Sequence, residues 1–98
     1  MLPILYKLAG YLAKRDIRKV ISQMGEEASR VRDLRKEELI RLHHGLGRYL
    51  RNSFRQRRYG ALFLTSSWHV QKSGQPMSFD AISSAAIEKI WQVLQMER

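Results

Sequence analysis

The chain predicts an all-α fold, a small bundle of three or four helices, and three observations lead there. The segment from Asp33 to Gln56 joins a helix-start signal to an apolar stripe and a row of arginines. Two shorter apolar stripes of helical period precede it, and Ser78 heads a final apolar run. With 98 residues and 44% hydrophobic content the chain can bury one modest core, so residues 1–98 are expected to form a single domain.

A first helix is expected over residues 3–13. Leu5, Leu8 and Leu12 share a face, Ile4 and Tyr11 stand beside it, and Pro3 suits a first turn. Ile17, Val20, Ile21 and Met24 form a second, rotated stripe, which places a break near Lys14 to Asp16, with Asp16 as N-cap, and a helix over residues 16–24. Gly25 fits the position just past its end. Residues 26–32 are polar, a connector or a short turn of helix.

The central helix is expected over residues 33–56. Asp33 or a neighbour starts it, and Glu37 and Glu38 suit the positive end of its dipole. Leu39, Leu42, Leu46, Tyr49, Leu50 and Phe54 fall in one arc, while Arg57 would point into that arc, so the helix should stop before it. Ala61 to Leu64 suits a short helix near 60–65, or a strand by length alone. Thr65 to Met77 has a loop composition, with Trp68 pinning it to the body. Ser78 then caps a helix over residues 79–96, whose core face is Ile82, Ala86, Ile90, Val93 and Leu94, widened by Phe79, Ile87 and Trp91.

The formal charge of +9 belongs to the first two thirds of the chain, since residues 61–98 balance at zero. Such one-sided charge attracts polyanions. The chain has no cysteine, which removes disulfides and thiolate metal sites and mildly favours a reducing cytoplasm. No apolar run approaches a membrane span and no secretory signal is expected, as Lys7 interrupts the first apolar stretch.

From Lys36 the residues Lys36-Glu37-Glu38-Leu39-Ile40-Arg41-Leu42-His43-His44-Gly45-Leu46-Gly47-Arg48-Tyr49-Leu50-Arg51-Asn52, followed by Met77-Ser78-Phe79-Asp80-Ala81-Ile82-Ser83 and Ile90-Trp91, resemble a bacterial domain family of unknown function. Its pattern reads E-E-D-L-I-R-L-H-F-G-L-G-M-W-I-R-N, then G-L-W, then H-P-D-D-A-S and a later L-W. The resemblance covers about three quarters of the chain and implies the fold, not a reaction. Here Arg55 to Gly60 replaces the G-L-W stretch, so the exit of the central helix is more basic than the pattern.

No catalytic set emerges. His43 and His44 are adjacent and diverge by about 100° on a helix, which makes them poor joint ligands. Arg51-Asn52 resembles the Arg-polar pair of HEPN-type ribonucleases, but the histidine that should follow it is missing. Gly45 and Gly47 would each cost a helix about 0.5–1 kcal/mol relative to Ala; Gly47 borders the apolar arc and suits close packing, whereas Gly45 faces away.

The strongest candidate site is an arginine ridge, Arg41, Arg48, Arg51 and Arg55, extended by Arg57 and Arg58 and joined by His44 and Asn52. Arginine suits bidentate contact with carboxylate or phosphate. The expected function is a non-catalytic binding protein of immunity, antitoxin or inhibitor type that meets an acidic protein partner through this ridge, with no cofactor and no metal. The alternative is nucleic-acid binding through phosphates. A membrane surface is not expected as partner, because Leu5, Leu8 and Leu12 serve a core helix equally well.

Overall fold

The computed structural model describes residues 2–97, with side chains from Ile4 onward; Met1 and Arg98, the ends of the expected domain, lie outside them. It is all-helical, and no strand occurs among the described residues. Among the described residues six helical segments follow one another instead of three or four: α1 (Leu2–Met24), α2 (Glu27–Arg32), a 3₁₀ segment (Lys36–Leu42), α3 (Leu46–Arg55), α4 (Gly60–Ser73) and α5 (Phe79–Met96).

The break expected near Lys14 to Asp16 does not occur; α1 runs unbroken to Met24. Neither Gly nor Pro lies between Tyr11 and Met24, so nothing in the backbone forces a kink. The stripe rotates because the two halves of α1 have different surroundings. Ala13, Ile17 and Val20 are buried, while Leu5 and Leu8 are exposed. Asp16 is therefore no cap of its own helix. Its Oδ2 accepts from the Leu62 backbone N–H at 3.0 Å, and Leu62 stands in the first turn of α4, whose leading residue Tyr59 gives no side-chain cap. Asp16 thus satisfies an orphan donor of another helix.

Gly25 ends α1 with φ +56°, a conformation that suits glycine. Asp33 then closes α2 at its C-terminus, where a helix start was expected.

The continuous helix over 33–56 is the main correction. Residues 36–42 wind as 3₁₀, and α3 begins only at Leu46, after Gly45 with φ −90° and ψ −87°. The glycine penalty is avoided by leaving helical geometry at Gly45. The 3₁₀ winding also explains why the leucines still reach the core. Positions three apart eclipse, so Leu39 and Leu42 both pack against the core cluster and Lys36 reaches Glu88 of α5 at 3.0 Å. Glu38 Oε1 accepts from the Arg35 backbone N–H at 2.8 Å. That bond, with the positive charges of Arg35 and Arg41, holds its carboxyl below the usual range against a smaller opposing effect of desolvation.

The short helix expected near 60–65 extends to Ser73, so Thr65 to Ser73 is helix, not loop. Three of its hydroxyls bond within the helix, Thr65 Oγ1 donating to Ala61 O at 3.0 Å, Ser67 Oγ to Phe63 O at 2.8 Å and Ser73 Oγ to Val70 O at 2.7 Å, whereas the buried Ser66 Oγ makes no hydrogen bond among the described residues. Leu62, Ser66 and Val70 are buried one turn apart; the serine in the middle concealed the period. Trp68 belongs to this helix and packs edge-on against Tyr6 of α1, ring centroids 4.8 Å apart. With Asp16 at Leu62 and Tyr6 at Trp68, α1 and α4 run antiparallel. Gly74, at φ +80°, ends α4.

Helix α5 begins and ends as expected, with Ser78 Oγ accepting from the Ala81 backbone N–H at 3.1 Å. It buries Ile82, Ser83, Ala85, Ala86, Ile87, Ile90 and Leu94 and touches every other segment. The hub is thus the last helix, not residues 33–56. Trp91 Nε1–H donates to Leu34 O at 2.8 Å and Gln95 Nε2–H to Arg32 O at 2.6 Å, which ties the end of α2 to α5.

Replacing Asp16 by Ala should lower unfolding stability by about 1 kcal/mol, the usual worth of an N-terminal cap, whereas Asp16→Asn keeps the acceptor and should lose less. Chemical denaturation with an unchanged slope is the measurement; equal stability of wild type and Asp16→Ala would refute the capping role.

Candidate functional site

The turn between the 3₁₀ segment and α3 divides the expected ridge. Arg41 lies on the 3₁₀ segment, exposed, with its Nη1 3.3 Å from Glu38 Oε2. His44 is exposed in the turn, its ring edge-on to that of half-buried His43 at 5.5 Å. Among the described residues no group of three or more His, Asp or Glu side chains is placed to hold a metal ion.

Arg51 turns inward. Its side chain is 13% exposed, with Nε 3.5 Å from Asp80 Oδ1. Its Nη1 donates to Ser83 Oγ and its Nη2 to His43 O, both at 3.3 Å. One guanidinium therefore joins α3 to α5 and to the carbonyl that ends the 3₁₀ segment. This is a correction: Arg51 is a strut, because the missing side chain of Gly47 leaves it room. A Cβ at Gly47 would stand 3.1 Å from Arg51 Nη1, 3.4 Å from Leu42 O and 3.6 Å from Ile87 Cδ1. Gly47 is buried as its packing role requires, and Gly45 is exposed.

The remaining candidates keep together. Arg48, Asn52 and Arg55 are exposed on α3 and fall within about 60° of one another at 3.6 residues per turn. The Arg55 guanidinium carbon sits 5.1 Å from the centroid of Phe79. Phe79 in turn meets Phe63 with tilted rings 6.0 Å apart, and Phe63 meets Phe54 edge-on at 5.2 Å. An aromatic row thus runs from the core to the surface and ends under a guanidinium. Among the described residues, Arg48, Arg55, Arg57 and Arg58 make no ion pair.

The exit of α3 follows local rules with one exception. The Arg58 N–H bonds Ser53 O at 2.8 Å and the Arg57 N–H bonds Phe54 O at 3.0 Å, the double bond pattern of a Schellman motif. The residue at its left-handed position is usually glycine. Here it is Arg57 with φ +63°, followed by Tyr59 with φ +56°, each costing about 1 kcal/mol or more for an L side chain. The helix stops before Arg57, as expected, and it stops at a strained arginine.

Tyr59 is fixed by a hydroxyl pair with Tyr49 at 2.6 Å. No sequence signal marked this pair. Burial, then the bond to Tyr49, pushes the Tyr59 phenol up to about 12 from its ordinary 10.0, against a pull from Arg58. Sequence reasoning also passed over Met77 and Phe79 as surface residues, although both are exposed beside the arginines' end of α5.

Compared with family models, with curated protein sequences and with solved structures, the chain gives no match.

Arg51→Ala should cost about 1–3 kcal/mol of stability, because it strands polar groups at the α3–α5 contact; Arg51→Met keeps the buried stem and should cost less. Thermal unfolding decides, and an unchanged midpoint in both variants would return Arg51 to the surface ridge. A second expectation concerns pH. The neutral Tyr59 phenol is favoured in the folded state, so its contribution is complete below pH 10, the ordinary value, and is lost as pH rises through about 12. Stability of the wild type should fall more steeply than that of Tyr59→Phe across this window, followed by denaturation at stepped pH; parallel curves would contradict it.

Proposed function

We propose that the protein is a non-catalytic helical binding module of the immunity, antitoxin or inhibitor kind, and that it docks on an acidic protein through Arg48, Asn52, Arg55, Arg57 and Arg58. The observation that carries this reading is the pairing of ion-pair-free guanidinium groups with exposed apolar side chains. Arg48 and Arg55 lack carboxylate partners among the described residues, and Arg55 lies on Phe79 near exposed Met77. Arginine, methionine and aromatic side chains together are the composition of protein interfaces.

The strain at the exit supports the same reading. Glycine at position 57 would relieve it, and a left-handed arginine is understandable when its side chain is needed. Nucleic acid is the second reading for the same cations, and the Phe79 face that would stack on a base is covered by Arg55. Arg41 and His44 border this face at most; Arg51 supports it from behind. The resemblance to the bacterial domain family enters here as a proposal as well, carried by the block from His43 to Asn52.

Capture of partners from a nuclease-treated lysate, followed by affinity measurement with the protein recovered, tests the reading. Arg48→Ala and Arg55→Ala should each weaken binding by about 2 kcal/mol, roughly thirtyfold. Arg57→Gly should raise stability by about 1 kcal/mol and lower affinity. If Arg57→Gly is more stable and binds undiminished, the strain has no functional use. A partner that vanishes on nuclease treatment, with a salt slope that drops by about 0.9 for each arginine removed, would replace the protein partner by phosphates.

A further inference from the structure

The outer side of α1 carries a second surface that the arginine face does not explain, and none of its residues belongs to α3. Farther along the helix Ala13, Ile17 and Val20 are buried. In the first three turns Ile4 is 73%, Leu8 52% and Tyr11 64% exposed. At 3.6 residues per turn these three lie within about 60° of one another, opposite the buried positions. Leu5 and Leu12 turn from that strip towards α4. There Leu5, Leu8 and Leu12 face Ala61, Leu64 and Trp68 across an open groove of about 490 Å³.

The charge around this strip has one sign. Residues 2–15 of α1 and 60–73 of α4 contain no Asp or Glu but include Lys7, Lys14, Arg15 and Lys72. Lys72 Nζ lies 5.8 Å from the centroid of Tyr6. The first acidic residue, Asp16, has an oxygen engaged by the Leu62 N–H. One turn beyond Tyr11 the same strip continues as Arg15, Arg18 and Lys19, of which Arg18 is paired with Glu97 at 2.6 Å.

An apolar strip that ends in Tyr11, with Trp68 across the groove and cations flanking it, matches the two layers of an anionic bilayer surface. Aromatic side chains favour the headgroup level, and lysine and arginine meet lipid phosphates. A second copy of the chain would bring Lys7, Lys14 and Arg15 against their own kind. No helix among the described residues is long and apolar enough to cross a membrane, so the contact is lateral. We infer that the α1–α4 strip rests on an anionic lipid surface, with Ile4, Leu8 and Tyr11 entering the headgroup boundary. The sequence lets these leucines fill a core, but Leu5 and Leu8 are each 52% exposed and do not.

Flotation of the full chain with phosphatidylcholine vesicles, with and without phosphatidylglycerol, tests the inference. The wild type should float with the anionic vesicles and not with the neutral ones. Leu8→Glu combined with Tyr11→Glu should abolish flotation while circular dichroism shows the helices retained, both positions being exposed. Lys14→Ala with Arg15→Ala should weaken partitioning by about fivefold for each cation removed. Arg48→Ala with Arg55→Ala removes the same charge from α3 and should leave flotation unchanged, so this test and that of the arginine face fail separately. Equal flotation with neutral vesicles, or loss only in the α3 variant, would overturn the assignment. A dimer in solution that Leu8→Glu dissolves, without any flotation, would give the strip to a second copy instead.

Discussion

Everything in this fold leans on the burial of α5. The segments between Glu27 and Arg55 are six, seven and ten residues long, and helices shorter than about 12 residues are marginal on their own in water. They persist because α5 offers each of them a buried side. Ala85 and Ala86 let backbones approach, and Ile82, Ile87, Ile90 and Leu94 fill the core between them. Its polar residues complete the work. Trp91 and Gln95, one turn apart, donate to two carbonyls at the end of α2, and Glu88 receives Lys36. Carbonyls that the short helices cannot satisfy internally are thereby satisfied from outside.

The same dependence explains how the arginines are shared between support and surface. The 3₁₀ segment and α3 meet at an angle set by Gly45, and the junction needs a cation to gather His43 O, Ser83 Oγ and Asp80. Arg51 fills that need. The ion pair itself is of modest worth, since the Asp80 carboxylate is 70% exposed; the neutral acceptors, held away from water, matter more. With Arg51 withdrawn, the surface that remains is narrower than an unbroken helix would present, and it is edged by Met77 and Phe79. Backbone strain falls at Arg57 and Tyr59, where α3 hands over to α4.

Two cationic surfaces result, and their chemistry differs. On α3 the guanidinium groups stand among polar and aromatic neighbours, and the groups around them are held in place by the Phe54–Phe63–Phe79 row. On α1 and α4 the apolar side chains dominate and the cations form a collar. A net charge of +9 would hide this distinction; its placement on separate helices reveals it.

The sequence by itself determined the helical class, the ends of α5 with the Ser78 cap, the stop at Gly25, the exit of α3 before Arg57 and the burial of Leu50 and Phe54. Those features rest on neighbours three or four residues away, and such spacing is written directly in the chain. It was not enough for Asp16, whose partner Leu62 is 46 positions distant, or for Arg51, whose partner Ser83 is 32 positions distant. It could not separate a leucine that meets another helix from one that meets solvent, as Leu5 and Leu8 do. Nor could it tell that Ser67 and Ser73 of α4 would spend their hydroxyls on their own helix while Ser66 is buried without a partner among the described residues. Only the tertiary structure decided these points, because a side chain able to serve core or surface is assigned by what packs beside it, and that neighbour arrives from a remote part of the chain.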